Sequence, residues 1–103
     1  MSGPMSLLAS EARASTLRIL ADMIERVPPD DDASFRDALS ALLTAGVPAI
    51  AIARRAPTSV STITRWAQGA FAPHPIIRTA VAALLPSTAR ECASGFEHVA
   101  DAA

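Results

Sequence analysis

The chain has 103 residues, half of them hydrophobic, and its only aromatics are three phenylalanines and one tryptophan, so the core must be aliphatic. A net charge of −1, taken alone, weighs against a nucleic-acid partner, and the single cysteine, Cys92, excludes an internal disulfide and removes any reason to expect an oxidising compartment. No stretch reaches the ~18 uncharged apolar residues of a membrane span, and the start lacks the basic opening and long apolar run of a signal peptide, so the expected setting is cytoplasmic, with no membrane partner.

Residues 6–27 are predicted to form a first helix with Ser6 as its cap. Leu8, Ala12, Ile19, Leu20, Met23 and Val27 recur at helical spacing, and Leu7, Leu17 and Ile24 widen that apolar face. Pro28 and Pro29 stop the helix, since neither can donate a backbone bond. Asp30, Asp31 and Asp32 lack the alternating oxygen ligands of a calcium loop and read as a solvated linker, with Asp32 or Ser34 capping the next helix.

That second helix, 33–45, carries Phe35, Ala38, Leu39, Leu42 and Leu43 on one face and is followed by Gly46. A short third helix, 48–56, is predicted to turn Ile50, Ile52 and Ala53 inward and Arg54 and Arg55 outward before Pro57 ends it. A fourth, 60–68, is capped by Ser59 and closed by Gly69, with Ile63 and Trp66 inward. After a proline-bearing loop, a fifth helix over 76–85 buries Ile77, Val81, Leu84 and Leu85 and stops at Pro86. The alanine-rich residues 87–103 hold at most one more weak helix. No strand-like alternation or internal repeat interrupts this pattern. The fold class is therefore all-α, a small domain of five to six helices, organised as an N-terminal helical arm (1–29), a central domain (30–86) and a C-terminal tail (87–103).

Charge is not spread evenly along this chain. Residues 38–90 contain Arg54, Arg55, Arg65, Arg78 and Arg90 and no carboxylate, while all ten acids lie outside. A cationic centre between acidic flanks is a footprint for a polyanion. The absence of lysine has a blander source, compositional bias. The third and fourth helices are short and joined by few residues, so they must cross steeply. Val60, Ser61, Thr64, Arg65 and Gln68 are left on the outer side of the fourth. The major groove of B-DNA, about 12 Å wide, admits such a helix; Ser and Thr bond base edges or phosphates, and Arg bonds guanine. Trp66 belongs with Ile63 in the core by its spacing and not on a nucleobase. Glu91, Cys92 and His98 form neither a metal pattern nor a credible thiol catalytic set. The chain is read as no enzyme, with no cofactor.

Residues 46–73, GVPAIAIARRAPTSVSTITRWAQGAFAP, resemble the helix-turn-helix of the phage Cro/CI repressor-like family. The resemblance rests on Gly46 ending the preceding helix and on Ile52-Ala53 within the first motif helix. It continues through Ser59, Ser61, Thr62 and Ile63 opening the recognition helix, and Arg65, Trp66, Gly69 and Pro73 closing it. It extends over about 34–86, through Ala82-Ala83-Leu84-Leu85. One departure stands out: Pro57 occupies the turn position where the family carries a glycine, which often takes a positive φ that proline cannot adopt.

The resemblance implies a lambda-repressor-like fold with an added N-terminal helix. It implies base contacts from Ser59, Val60, Ser61, Thr64 and Arg65, and backbone contacts from Arg54, Arg55, Gln68, His74 and Arg78. The expectation is a sequence-specific regulator of transcription binding double-stranded DNA, a homodimer on an inverted repeat, with the first helix as the dimerisation element. The alternative is a helical adaptor or antitoxin-type protein, whose helix-turn-helix is mainly scaffold and whose first helix docks another protein.

Overall fold

Two long helices frame three short ones. The computed structural model describes the backbone of residues 4–102 and the side chains of residues 9–98; helix is the only regular structure among them, with no strand. In chain order the elements are α1 (Pro4–Arg26), α2 (Asp32–Ala45), α3 (Ala49–Ala53), α4 (Val60–Gln68) and α5 (Pro75–Ala102).

Helix α1 begins before Ser6, so Ser6 lies inside it and is not its cap. Its buried face is Ala14, Leu17, Ala21 and Ile24. The predicted face is thus rotated: Ala12, Ile19, Met23 and Val27 are exposed, Leu20 is half-buried, and the side chains of Leu7 and Leu8 lie outside the described residues. The reason lies in the partner helix. α5 runs antiparallel to α1, as Arg18 reaches Glu97 while Arg90 reaches Asp22 and Glu25. It presents Ala82, Ala89 and Ala93, all buried, to the same core. Alanines at 14, 21, 89 and 93 let two helix backbones approach closely at no side-chain entropy cost. Leu17 and Ile24 fill the rest of that face, and the residues at 19, 23 and 27 lie on the opposite side of the helix.

The same contact explains why α5 is 28 residues long and runs through Pro86, where the sequence predicted an end. Proline inside a helix removes one backbone bond and costs ~3 kcal/mol. Beyond it, Thr88, Ala89 and Ala93 are buried and Cys92 is half-buried, which offsets that cost. The boundary drawn at residue 86 therefore falls inside α5, and residues 87–98 pack as its continuation.

Three smaller expectations are corrected in the short helices. Asp31, rather than Asp32 or Ser34, caps α2, its carboxylate accepting from Ser34 N–H at 2.7 Å. Ile50 and Ile77, expected inside, are 46% and 42% exposed; α3 has only one fully inward side, taken by Ile52. And α3 is five residues long, its predicted last turn replaced by a chain of turns through Ala56, itself buried.

The two glycines that follow α2 and α4 do what their positions require. After α2, Val47 N–H donates to Leu42 C=O (3.0 Å) and Gly46 N–H to Leu43 C=O (3.2 Å). After α4, Ala70 N–H donates to Arg65 C=O (3.0 Å) and Gly69 N–H to Trp66 C=O (3.1 Å). These paired bonds close each helix through a left-handed residue, with φ of 115° at Gly46 and 75° at Gly69.

Candidate nucleic-acid interface

Helix α4 is held from beneath. Ile63 is fully buried and Trp66 is 5% exposed. The indole meets Phe35 of α2 edge to face, with ring centroids 5.9 Å apart and planes at 65°. Trp66 is thus a core residue, and its ring has no face free for stacking. The N-terminus of α4 is fixed by Ser59, whose hydroxyl accepts from Thr62 N–H at 3.2 Å. Packing on α2 and α3 supplies the rest.

The turn before α4 is built without a left-handed residue. No non-glycine residue among those described has a positive φ. Instead Ala56 N–H donates to Ile52 C=O (2.9 Å), and Thr58 N–H reaches back over Pro57 to Ala56 C=O at 2.8 Å. A bond spanning a single residue is a γ-turn, whose inverse form needs the negative φ that proline already has. Pro57 therefore sits at the centre of a tight turn that needs no positive φ.

With its inner side fixed, α4 turns Val60, Ser61, Arg65 and Gln68 outward as exposed residues. Thr64 is half-buried and its hydroxyl donates to Val60 C=O at 3.0 Å, which leaves that oxygen able only to accept from an outside group. The Ser59 hydroxyl is engaged by the cap and lies 3.1 Å from the Ser61 hydroxyl. This outer face has no carboxylate of its own.

The arginines of the region divide into two kinds. Among the described residues, Arg18, Arg36, Arg55, Arg78 and Arg90 are held in ion pairs, while Arg54 and Arg65 are exposed and are not. Arg55 pairs with Glu91 of α5 and donates to Thr88 Oγ1 at 3.0 Å. Arg78 is nearly covered, with 14% of its side chain exposed, and ties the start of α5 to the first residue of α2 through Asp32 Oδ1 (2.7 Å) and to the α1–α2 linker through Asp30 C=O (2.8 Å). His74 accepts from Ile76 N–H on Nδ1 at 3.1 Å, capping α5, and leaves its other ring nitrogen exposed. Of the five residues expected at the DNA backbone, Arg54 and Gln68 stand clear, His74 half serves a cap, and Arg55 and Arg78 are bound to the protein itself.

Thr88 was not singled out from the sequence, yet it is the one buried polar side chain among those described, and it holds Arg55. Its own hydroxyl donates to Leu84 C=O at 2.8 Å. The signal was present: Val81, Leu85, Thr88 and Cys92 follow helical spacing, hidden only by reading Pro86 as a stop. Burial pushes the Cys92 thiol up, against the pull of the nearby Arg55 charge, which disfavours the reactive thiolate.

Neither a protein-family model, nor a curated protein, nor a solved structure matches this chain. Among the described residues, no helix is long and apolar enough to cross a membrane.

Proposed function

We propose that the protein is a sequence-specific transcriptional regulator that binds double-stranded DNA by laying α4 in the major groove, as a helix-turn-helix of the Cro/CI repressor-like kind. The observation that carries this reading is the outer face of α4: small hydroxylated residues and an Arg65 in no ion pair among the described residues, on a helix whose opposite face is locked by Ile63 and Trp66. A rigidly seated helix with a slim polar face suits close approach to base edges. Arg65 and Ser61 are the base readers, and Val60 is placed to meet a thymine methyl. Arg54 and Gln68 contact phosphates, which position the protein without specifying sequence. Arg55 and Arg78 serve as struts that fix the turn before α4 and the start of α5. The protein acts as a homodimer on an inverted repeat, and occupancy controls access of polymerase.

The test is selection of bound duplexes from a fragmented genomic library, followed by binding measurements across salt concentration. A single enriched palindromic site, with affinity falling steeply as salt rises, supports the reading. Absence of duplex binding at low salt refutes it. In that case the second reading gains, a helical adaptor or antitoxin-type protein, which the exposed apolar residues Ile19 and Met23 of α1 and Val27 just after it favour.

A further inference from the structure

Arg36 precedes the carboxylate-free stretch in the sequence, yet the fold brings it to the C-terminal end of α4. A Cβ built on Gly69, the residue that closes α4, would meet Arg36 Cδ at 3.1 Å and Nη1 at 3.4 Å. The guanidinium therefore lies against the helix end, about one turn beyond Arg65, in space that a side chain at position 69 would take. Its side chain is 49% exposed. Its one ionic contact among the described residues is with its chain neighbour Asp37, 3.9 Å from Nε and beyond hydrogen-bond reach. Asp37 stands on the other flank of α2, where it lines the grooves beside Leu20 of α1. Arg36 thus differs from Arg55 and Arg78, whose guanidinium groups make close bonds to the protein itself.

Arg36 and Gly69 also line a small cavity of about 70 Å³, together with Asp32, Trp66 and Phe71. The Trp66 indole N–H is buried and has no acceptor among the described residues. The carboxylate on the lining, Asp32, is taken up by Arg78 at 2.7 Å. This corner of the molecule therefore offers N–H donors, one group of them carrying a full positive charge, and is short of acceptors. The chemistry that complements it is an anionic oxygen.

The position of Arg36 relative to α4 selects which anion. Nine residues make α4 about 13 Å long, close to the ~12 Å width of the major groove. A helix laid in that groove has base edges under its outer face and a sugar–phosphate wall at its end. Arg36 stands at the end, off the face that carries Ser61 and Arg65.

We propose that Arg36 binds a phosphate diester of the DNA backbone at the C-terminal end of α4, and so sets how α4 is seated in the groove. The guanidinium fork takes two phosphate oxygens at once. This rests on the proposed reading of α4 and adds to it a contact from outside the helix-turn-helix segment.

The experiment compares the full native chain with Arg36→Gln and Arg36→Lys, on the duplex enriched by selection and on a random-sequence duplex, across salt concentration. Glutamine keeps the stem packed on Gly69 and removes the charge; urea unfolding checks that each variant folds. Arg36→Gln weakens both complexes alike, on the order of tenfold, and lowers the salt slope by about 1. Arg36→Lys keeps the slope, because the charge remains, and recovers only part of the affinity, because an ammonium lacks the fork. A scan of duplexes, each with one neutral methylphosphonate in place of a phosphate, locates the contact: the native chain is weakened at a position to which Arg36→Gln is indifferent. An unchanged slope in folded Arg36→Gln overturns the proposal, and so does a scan in which native chain and variant lose affinity at the same positions. A variant that loses stability and keeps the slope marks Arg36 as a cation serving the negative end of α4 alone, which also overturns it. Absence of duplex binding by the native chain refutes the reading of α4 and this contact with it, whereas failure of the Arg36 comparisons alone leaves that reading standing.

Discussion

The α1–α5 pair and the α3–α4 pair use arginine for opposite purposes. Between the long helices, Arg18 meets Glu97, and Arg90 meets both Asp22 and Glu25, so each cation is matched by carboxylates of the facing helix. Around the short helices, no carboxylate occurs from residue 38 to residue 90, and Arg54 and Arg65 stand without one among the described residues. The packing differs as well. α1 and α5 are joined by alanines along their length, whereas α4 hangs on two large side chains, Ile63 and Trp66, under a polar outer face. The lesson is one of charge placement. An arginine whose neighbours include acids is a strut; an arginine on a fixed helix with no acid nearby is left available to an external anion.

The comparison is broken most severely by removing what seats α4. Trp66→Ala takes away the ring packed on Phe35 and should cost about 3–5 kcal/mol of folding stability, measured by urea unfolding. A domain of this size holds only about 5–15 kcal/mol in total, so much of the variant should be unfolded at 37 °C. If the loss is well under 1 kcal/mol, α4 is not seated as described.

On the other side of the comparison, Pro86→Ala should raise stability by up to about 3 kcal/mol, because it restores a helical donor inside α5 without changing the α1 seam. A destabilised variant would mean that the proline shapes the bend by which α5 follows α1.

Next come the two kinds of arginine. If α4 reads DNA as proposed, Arg65→Ala should weaken binding to the selected site by about 1–3 kcal/mol and binding to random duplex far less. Arg54→Ala should weaken both alike and lower the salt slope by about 1. Arg90→Ala, in contrast, should leave duplex binding unchanged and shift the unfolding midpoint only slightly, since its ion pairs are solvent-exposed and screened. Equal effects of Arg65→Ala and Arg90→Ala on binding would erase the distinction between strut and reader.

The smallest effect is acid sensitivity. Asp31, held by the Ser34 backbone N–H, and Glu97, hydrogen-bonded to Arg18, both titrate below the usual carboxylate range. A folded pKa below the unfolded one gives stability that is full above the unfolded value and lost as pH falls through the folded one. Thermal midpoints should therefore hold steady near neutrality and decline only in the acid range, and Asp31→Ala should flatten part of that decline.

What could be read from the sequence follows from the range of each rule. The ends of α4 were legible because they are local: a Ser59 cap, a Gly69 close and the 63–66 spacing involve residues within one or two turns. The same holds for Gly46 and for the inner face of α2 at Phe35, Leu39 and Leu42. Pro57 announced an altered turn, but the bond that built it, from Thr58 to Ala56, could not be named in advance. Of the residues picked for DNA, the exposure of Arg65 and the engagement of Arg55 and Arg78 looked identical in one dimension.

Composition, helical periodicity and capping residues determined by themselves that this chain is helical, where four of its helices lie, and which side of α4 is polar. The tertiary structure alone decided which face of α1 is inside, that α5 continues past Pro86, and which arginines are neutralised. Each of those outcomes depends on a partner dozens of residues away. Packing of Ala14, Leu17, Ala21 and Ile24 of α1 against the alanines of α5 outweighs a broken backbone bond and leaves Ile19 and Met23 at the surface.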